Sequence, residues 1–311
     1  MRWTTLGRTG RRVSVLGLGA GGPSRLGQRQ DKTAAESVAL IQQALDGGIN
    51  FIDTAESYGT EPLVGQAIKG RDRDSLVLST KKTVNLETTP ADVRTSLETS
   101  LRNLGVDHVD VYHLHAVIAE EYDYMINEIV PVLHDLREQG KLRYIGVTER
   151  FIPDPGHAMM ARAADDRLWD VLMVGFNLLN QSARERVFAP ATAHDPGVLV
   201  MFAVRRTLSQ PERLAETIQA LIADGLVDPA DFDDAEDPLG FVIRDGGAVN
   251  MVDAAYRFCL YEPGTHVTLF GTGSPEHLRA NLESAARPPL PPEVVARLRH
   301  IFRRVDTISA H

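Results

Sequence analysis

The sequence predicts a (β/α)8 barrel of the TIM type. Eight short β-branched or apolar runs recur along the chain, amphipathic stretches of helical period separate them, and 311 residues are enough for one large α/β barrel. The runs, in order, are VSVLGLG, INFIDT, SLVLST, HVDVYHLH, LRYIGVT, WDVLMVGFN, GVLVMFAV and HVTLFGT. Before the first of them, WTTLGRTGRRVSVLG reads as a short hairpin with Thr9 and Gly10 at its turn. The helical stretches include TAAESVALIQQALDGG, PADVRTSLETSLRNLG and EYDYMINEIVPVLHDLREQG, closed by Gly47, Gly105 and Gly140. Pro90 follows Thr89 in the first turn of the second stretch, where its missing N–H costs nothing. From Arg205 to Gly247 the alternation is broken by an excursion after the seventh run, containing the helical PERLAETIQALIADG and the acidic DPADFDDAEDP. It reads either as a solvated surface excursion or as a loop over the barrel mouth that shapes a pocket. The closing PPEVVARLRHIFRRVD is an amphipathic helix beyond the eighth unit. With no repeat shorter than the βα unit, no low-complexity segment and no linker, residues 1–311 read as a single domain.

Composition narrows the function. The apolar fraction of 43% suits a soluble chain with a sizeable core, and a net charge of −9 without a Lys/Arg-dense face argues against a nucleic-acid surface. The N-terminus is read as neither signal peptide nor membrane anchor, and no apolar run is long enough to span a bilayer. Cys259 is the only cysteine, which makes an intrachain disulfide impossible and a cytoplasmic location the default expectation. It lies in the apolar AAYRFCL, a setting for an inert thiol rather than a nucleophile.

Four residues carry the chemistry. Asp53 and Tyr58 in FIDTAESYG, Lys81 in LVLSTKK and His115 in DVYHLH lie where the second, third and fourth runs give way to loops. In this fold the carboxyl ends of the strands share one mouth, so topology brings the four together. Taken singly, each has a duller explanation: Asp53 as a turn cap, Tyr58 as a rim aromatic, Lys81 with Lys82 as a solvated pair. Together they form a set that moves a proton to or from a carbonyl or alcohol oxygen. No member is a ready nucleophile, so a redox reaction with hydride from a bound cofactor is expected. Lys81 is expected to lower the ordinarily high phenol pKa of Tyr58, and Asp53 to hold Lys81 in place and charged. Tyr58 then serves as general acid or base, while His115, as neutral imidazole, orients the substrate oxygen.

On these segments the chain resembles an aldo-keto reductase. GLGAGG, FIDTAESYG, STKK, VDVYHLHAV, RYIGVT and FGTGSPEHLRANL carry the resemblance and spread over most of the chain. It implies a barrel that binds a nicotinamide cofactor in extended form, usually NADPH, with Asp53, Tyr58, Lys81 and His115 as the catalytic tetrad. It also implies cofactor contacts from Gly19 and Ala20 after the first strand, from Asp53, and from the late segment Gly271, Thr272, Gly273, Ser274, His277 and Asn281. Thr272 and Ser274 offer hydroxyls, and the helix start behind them favours an anion.

The cofactor end also departs from the family pattern. Many members carry a basic residue at the position of Gly271 and an arginine at that of His277, so NADPH is expected ahead of NADH on weaker grounds than usual. The usual Ser-Asn is Thr148-Glu149, the usual glutamine of the sixth strand is Met173, and FAVRR replaces an aromatic followed by Ser-Pro-Leu. Phe202 lies adjacent to the nicotinamide-stacking position that the resemblance implies, and Arg205 and Arg206 are either phosphate contacts or a solvated pair.

Two other classes compete. His113 and His115, two apart on one strand, share a face and can be read as the start of a metal-dependent hydrolase site, but further ligands are not evident. A non-enzymatic nicotinamide-binding barrel acting as sensor or regulatory subunit fits the same fold, against which the intact tetrad argues. The expected partner is a small carbonyl or alcohol, whether aldehyde, ketone or sugar. Its identity and the oligomeric state are open at this level.

Overall fold

Alternation of side chains along each strand decides which residues face the middle of the molecule. In a computed structural model describing residues 1–234 and 237–311, β1 (Trp3–Thr5) and β2 (Arg12–Ser14) form the antiparallel hairpin. The eight runs become β3 (Leu16–Gly19), β4 (Phe51–Asp53), β5 (Val77–Thr83), β6 (Val109–Val117), β7 (Leu142–Glu149), β8 (Val171–Gly175), β9 (Gly197–Met201) and β10 (Val267–Phe270). They pair in parallel, each with the next, and β10 pairs back onto β3 to close the barrel. Helices ring it, as the sequence led one to expect.

The barrel interior begins with a plug. Leu6, from the hairpin turn, joins Val13, Phe51, Val77, Val111, Val171, Met173, Leu199 and Val267 in one buried cluster. Met173, at the glutamine position of the family pattern, thus fills this interior. Gly197 leaves the room Leu6 needs, since a Cβ there would lie 2.5 Å from Leu6 Cγ. The Tyr144 hydroxyl donates to Thr9 O at 2.7 Å, tying the turn to β7. Alternate residues such as Ile52, Leu78, Tyr112 and Leu114 face outward into the larger core beneath the helices. The same period carries Asp53, Ser79, Lys81, His113 and His115 inward, above the plug.

The helices follow their caps. Thr33 and Thr89 close capping boxes with Glu36 and Asp92 at the starts of Ala34–Asp46 and Pro90–Leu104. Gly105 and Gly140 end their helices with φ of 65° and 74°, whereas Gly47 stays at −73° and Gly48 takes the left-handed conformation at 90°. The third helical stretch is unbroken from Tyr122 to Glu138 but not uniform. A wide π turn, Met125–Ile129, precedes Val130–Glu138, because Pro131 removes an N–H and crowds the preceding turn.

The excursion holds helices Arg206–Ser209, Pro211–Ala223 and Phe241–Arg244. Its acidic run, of which residues 235 and 236 lie outside the described residues, is tied to the C-terminal helix Pro292–Ile301. Arg297 pairs with Asp233 at 2.8 Å, and His300 lies 3.2 Å from Asp231. That part belongs to the helical outer layer; only the start of the excursion, at Arg205, reaches the mouth.

If the hairpin is a plug, Leu6→Ala should destabilise the whole barrel by about 2–5 kcal/mol, read as a lower urea midpoint. A loss under about 0.5 kcal/mol, the scale of a neutral surface change, would mean the hairpin is an ornament.

Candidate active site

The inward residues at the carboxyl ends of β4, β5 and β6 meet as one cluster. Lys81 Nζ lies 2.5 Å from Asp53 Oδ2 and donates a second bond to Thr54 O at 2.8 Å. Ser79, two residues before Lys81 on the same face of β5, donates to Asp53 Oδ1 at 2.8 Å. Both carboxylate oxygens are therefore occupied and the pair is almost wholly buried. β5 and β6 run two residues past Lys81 and His115, so these two stand within strands rather than at their last residues.

Tyr58 reaches the cluster on a 3-10 turn, Glu56–Tyr58, whose exit is Gly59 at φ 72°. Its ring centroid lies 5.0 Å from Lys81 Nζ and 5.7 Å from the His115 ring, edge to face at 88°. The ring fits because position 21 is glycine: a Cβ there would sit 2.3 Å from Tyr58 Cε2. His115 is aimed by a bulge. Leu114 pairs with Val147 but Val117 pairs with Glu149, which leaves an extra residue in β6. Ala116 takes φ 62° there and donates its N–H to Thr148 Oγ1 at 2.8 Å. Thr83 Oγ1 lies 3.2 Å from His115 Nδ1. If that hydroxyl donates, Nε2 carries the ring proton and is the donor left for a substrate.

The electrostatics differ from the sequence expectation in one respect. Burial raises the Tyr58 pKa, the opposing pull of Lys81 and its hydrogen bond is smaller, and the balance stays above the ordinary phenol value. Lys81 does pull the phenol down, as expected, but so little water reaches the ring that burial outweighs it. For Lys81 itself burial pulls the pKa down, but Asp53 and Tyr58 together outweigh it and the result is raised. Burial, then Lys81, push His115 down to about 3, so its imidazole is neutral, as expected.

His113 lies one layer deeper, fully buried, with its ring where a Gly146 side chain would be: a Cβ there would stand 2.2 Å from Nδ1. Among the described residues no group of three His, Cys, Asp or Glu side chains gathers to hold a metal around it or elsewhere.

The residues expected at the cofactor form two groups. At the junction of β3 and β10, Gly19 and Gly271 approach closely, with an added Gly271 Cβ 3.4 Å from Gly19 O. Gly273 touches the loop after β3, where its Cβ would meet Gly27 Cα at 2.5 Å. Ser274 caps helix Pro275–Ala286, its oxygen accepting from His277 N at 3.3 Å, which leaves its own proton to donate. Thr272 Oγ1 accepts from Ser274 N at 3.0 Å. His277 is exposed and Asn281 buried. Ala20 is buried, its N–H committed to Asp53 O at 2.7 Å. The helix start behind Ser274 and the free proton of its hydroxyl suit a phosphate-bearing dinucleotide.

The second group lies at the ends of β7 and β9. Thr148 accepts from Ala116, while Glu149 turns away, holding His157 Nδ1 at 2.9 Å and accepting from Gly175 N at 2.7 Å. Phe151 stacks on His157 with centroids 5.2 Å apart and meets Phe202 edge-on at 5.3 Å. Phe202, at φ 66°, carries the Arg205 guanidinium 4.1 Å from its centroid. Sequence reasoning missed Ser79, Thr83, Phe151 and the Glu149–His157 pair. Ser79 and Thr83 were within reach of the period-two pattern through Lys81; His157 had no local signal.

A barrel with this mouth is the frame of the aldo/keto reductases, and the family's model matches residues 15–303: the chain belongs to the aldo/keto reductase family. L-Galactose dehydrogenase of Arabidopsis thaliana is 34% identical over 152 residues, 46% of this chain and 47% of that protein. The chain spans about half the length of the curated relatives it matches. Among solved structures, the thermostable aldo-keto reductase Tm1743, in complex with the inhibitor epalrestat, is 25% identical with a TM-score of 0.72, over 97% of this chain and 100% of that one. The holo form of aldo-keto reductase AKR11C1 from Bacillus halodurans has a TM-score of 0.73 at 22% identity, covering 97% and 96%, and shares the fold.

The titrations set a pH profile. A phenol with a raised pKa stays protonated through neutral pH, so its acid form is present below that pKa and lost above it; His115 changes charge only near pH 3. Carbonyl reduction at saturating cofactor should therefore be flat between about pH 5 and 8. The reverse oxidation, which needs the phenolate, should rise with pH. A step near pH 6.5 in reduction that vanishes in His115→Gln would contradict a neutral His115.

Proposed function

We propose that the protein is a carbonyl reductase in which Tyr58 passes a proton to the substrate oxygen, or takes it in the reverse direction. The observation that carries this reading is the convergence of Asp53, Lys81, Tyr58 and His115 at one mouth, with the 2.5 Å ion pair behind the phenol. A bound nicotinamide dinucleotide supplies or accepts the hydride.

Lys81, held charged by Asp53, makes release of the Tyr58 proton easier than burial alone allows, and steadies the phenolate left behind. His115 Nε2 donates to the oxygen and fixes its direction. Gly19, the Gly271–Ser274 loop, His277 and Asn281 hold the adenosine end of the cofactor, while Thr148 and Phe202 border the nicotinamide. The free Ser274 proton and the start of helix Pro275–Ala286 favour a phosphate there, which supports NADPH over NADH. Substrates are small aldehydes, ketones or sugars; the sugar option has the company of the Arabidopsis relative named as L-galactose dehydrogenase. With Cys259 buried and without a partner cysteine, we assign its work to the cytoplasm. The ordered proton-transfer set favours an enzyme over a mere nicotinamide sensor.

Two experiments test this. Fluorescence titration with NADPH and NADH should give micromolar binding, tighter for NADPH; binding of neither would end the redox assignment, and a tie would remove the phosphate argument. Tyr58→Phe should lower kcat on an aldehyde by about 10²–10⁴-fold while leaving the NADPH Kd nearly unchanged. Near-normal kcat in that variant would take the proton from some other donor.

A further inference from the structure

Arg205 is the cation of the mouth that the reaction as described does not use. It is half-buried, and among the described residues no carboxylate lies within ion-pair distance of it. Burial lowers its pKa, with Arg206 adding to the effect, so the site bears a cost for keeping this charge without an anion. Its flat face rests on Phe202, which in turn is wedged against Phe151. One edge of the guanidinium is directed at a single acceptor: Nε and Nη2 lie 3.2 and 2.6 Å from His311 Nδ1. That is the paired-donor edge with which arginine takes both oxygens of a carboxylate. The His311 nitrogen stands where such an oxygen would be. Arg206 and Arg213 add positive charge, acting with Arg205 on His311. The protein as a whole carries −9, so this corner runs against its net charge.

The position matters as much as the charge. Arg205 is one of the few groups whose charge acts on the Tyr58 hydroxyl, alongside Lys81 and Asp53. Through Phe202 and Phe151 it stands at the ends of β9 and β7, on the same rim of the barrel as the Tyr58 turn. The segment opposite, Ile308–Ala310, is pinned by Asn180, whose Nδ2 donates to Ile308 O at 2.8 Å, and Ala310 is buried.

We propose that Arg205 is a specificity residue for anionic substrates: the preferred carbonyl compounds carry a carboxylate, which the Arg205 fork takes in place of His311. This rests on the carbonyl-reductase reading and adds the substrate class. The guanidinium edge fixes the far end of the molecule and leaves the carbonyl to Tyr58 and His115. The competing claim on Arg205 is the diphosphate of the cofactor, as the family resemblance first suggested.

The test compares succinic semialdehyde with butanal, two four-carbon aldehydes that differ in the carboxylate. The wild type should favour the charged aldehyde in kcat/KM by at least about tenfold, the scale of one well-made charged hydrogen-bond pair. Arg205→Met should erase most of that ratio, through KM more than kcat, with the NADPH Kd held within about threefold. Arg205→Lys, keeping charge but not the fork, should fall between. Equal kcat/KM for the two aldehydes in the wild type overturns the proposal. So does an Arg205→Met variant that loses NADPH affinity tenfold with its substrate ratio unchanged, which would give the guanidinium to the cofactor. Failure to turn over either aldehyde, with NADPH still bound, overturns this proposal and leaves the reductase reading to ketone and sugar substrates.

Discussion

The mouth of this barrel depends on keeping one ammonium charged where almost no water reaches it. Lys81 and Asp53 side chains are 1% and 5% exposed, and for an isolated charge that setting would be prohibitive. The Asp53 oxygen at 2.5 Å, the Thr54 carbonyl and the Ser79 hydroxyl together replace the lost solvent. A buried pair of this kind adds little net stability compared with well-packed apolar side chains, but removing one partner costs about 3–5 kcal/mol because the other is stranded. Its value lies in its consequences. A fixed positive charge 5.0 Å from the Tyr58 ring offsets part of the burial penalty on the phenolate, and it adds to the burial that keeps His115 neutral. The phenol and the imidazole thus both feel the one ion pair, against burial in the first case and with it in the second.

The pair in turn depends on the barrel below it. Leu6, Phe51, Val77 and Val111 fill the lower interior, so the inward positions two and four residues further along the strands open toward the mouth. Space is granted by missing side chains: Gly21 admits the Tyr58 ring and Gly146 admits His113. His113 fills the layer between plug and site as a neutral ring, its pKa driven well down by burial and by Lys81. It extends the packing rather than starting a metal site.

Much of this was legible in the sequence because it follows from local patterns. The eight strands were recoverable from short β-branched runs, and Gly105 and Gly140 marked helix ends by their conformational freedom alone. Asp53, Tyr58, Lys81 and His115 were legible because the barrel gathers strand ends whatever the loops do. What stayed hidden depends on distance in sequence or on burial. The π turn before Val130 follows from Pro131 inside a stretch whose helical period is otherwise unbroken. The Tyr58 shift needed the burial of its ring, which no neighbouring residue reveals. Glu149 looked like a lost amide; it is a carboxylate committed to His157 and Gly175, residues eight and twenty-six positions away.

The two ends of the mouth therefore answer to different constraints. The proton-transfer set is built on strand interiors, where alternation and packing allow few alternatives, and it specifies only an oxygen to be protonated. The proposed recognition of the rest of the substrate falls to the ends of β7 and β9 and to the tail, where Phe151, Phe202, Arg205 and His311 touch in turn. Phe202 holds a left-handed backbone that a residue with a side chain adopts at some cost, and that conformation sets its ring beneath Arg205. An aromatic in a left-handed conformation carrying an arginine that has no acid partner among the described residues is a poor arrangement for stability alone. The carboxylate proposed for Arg205 gives that arrangement a use.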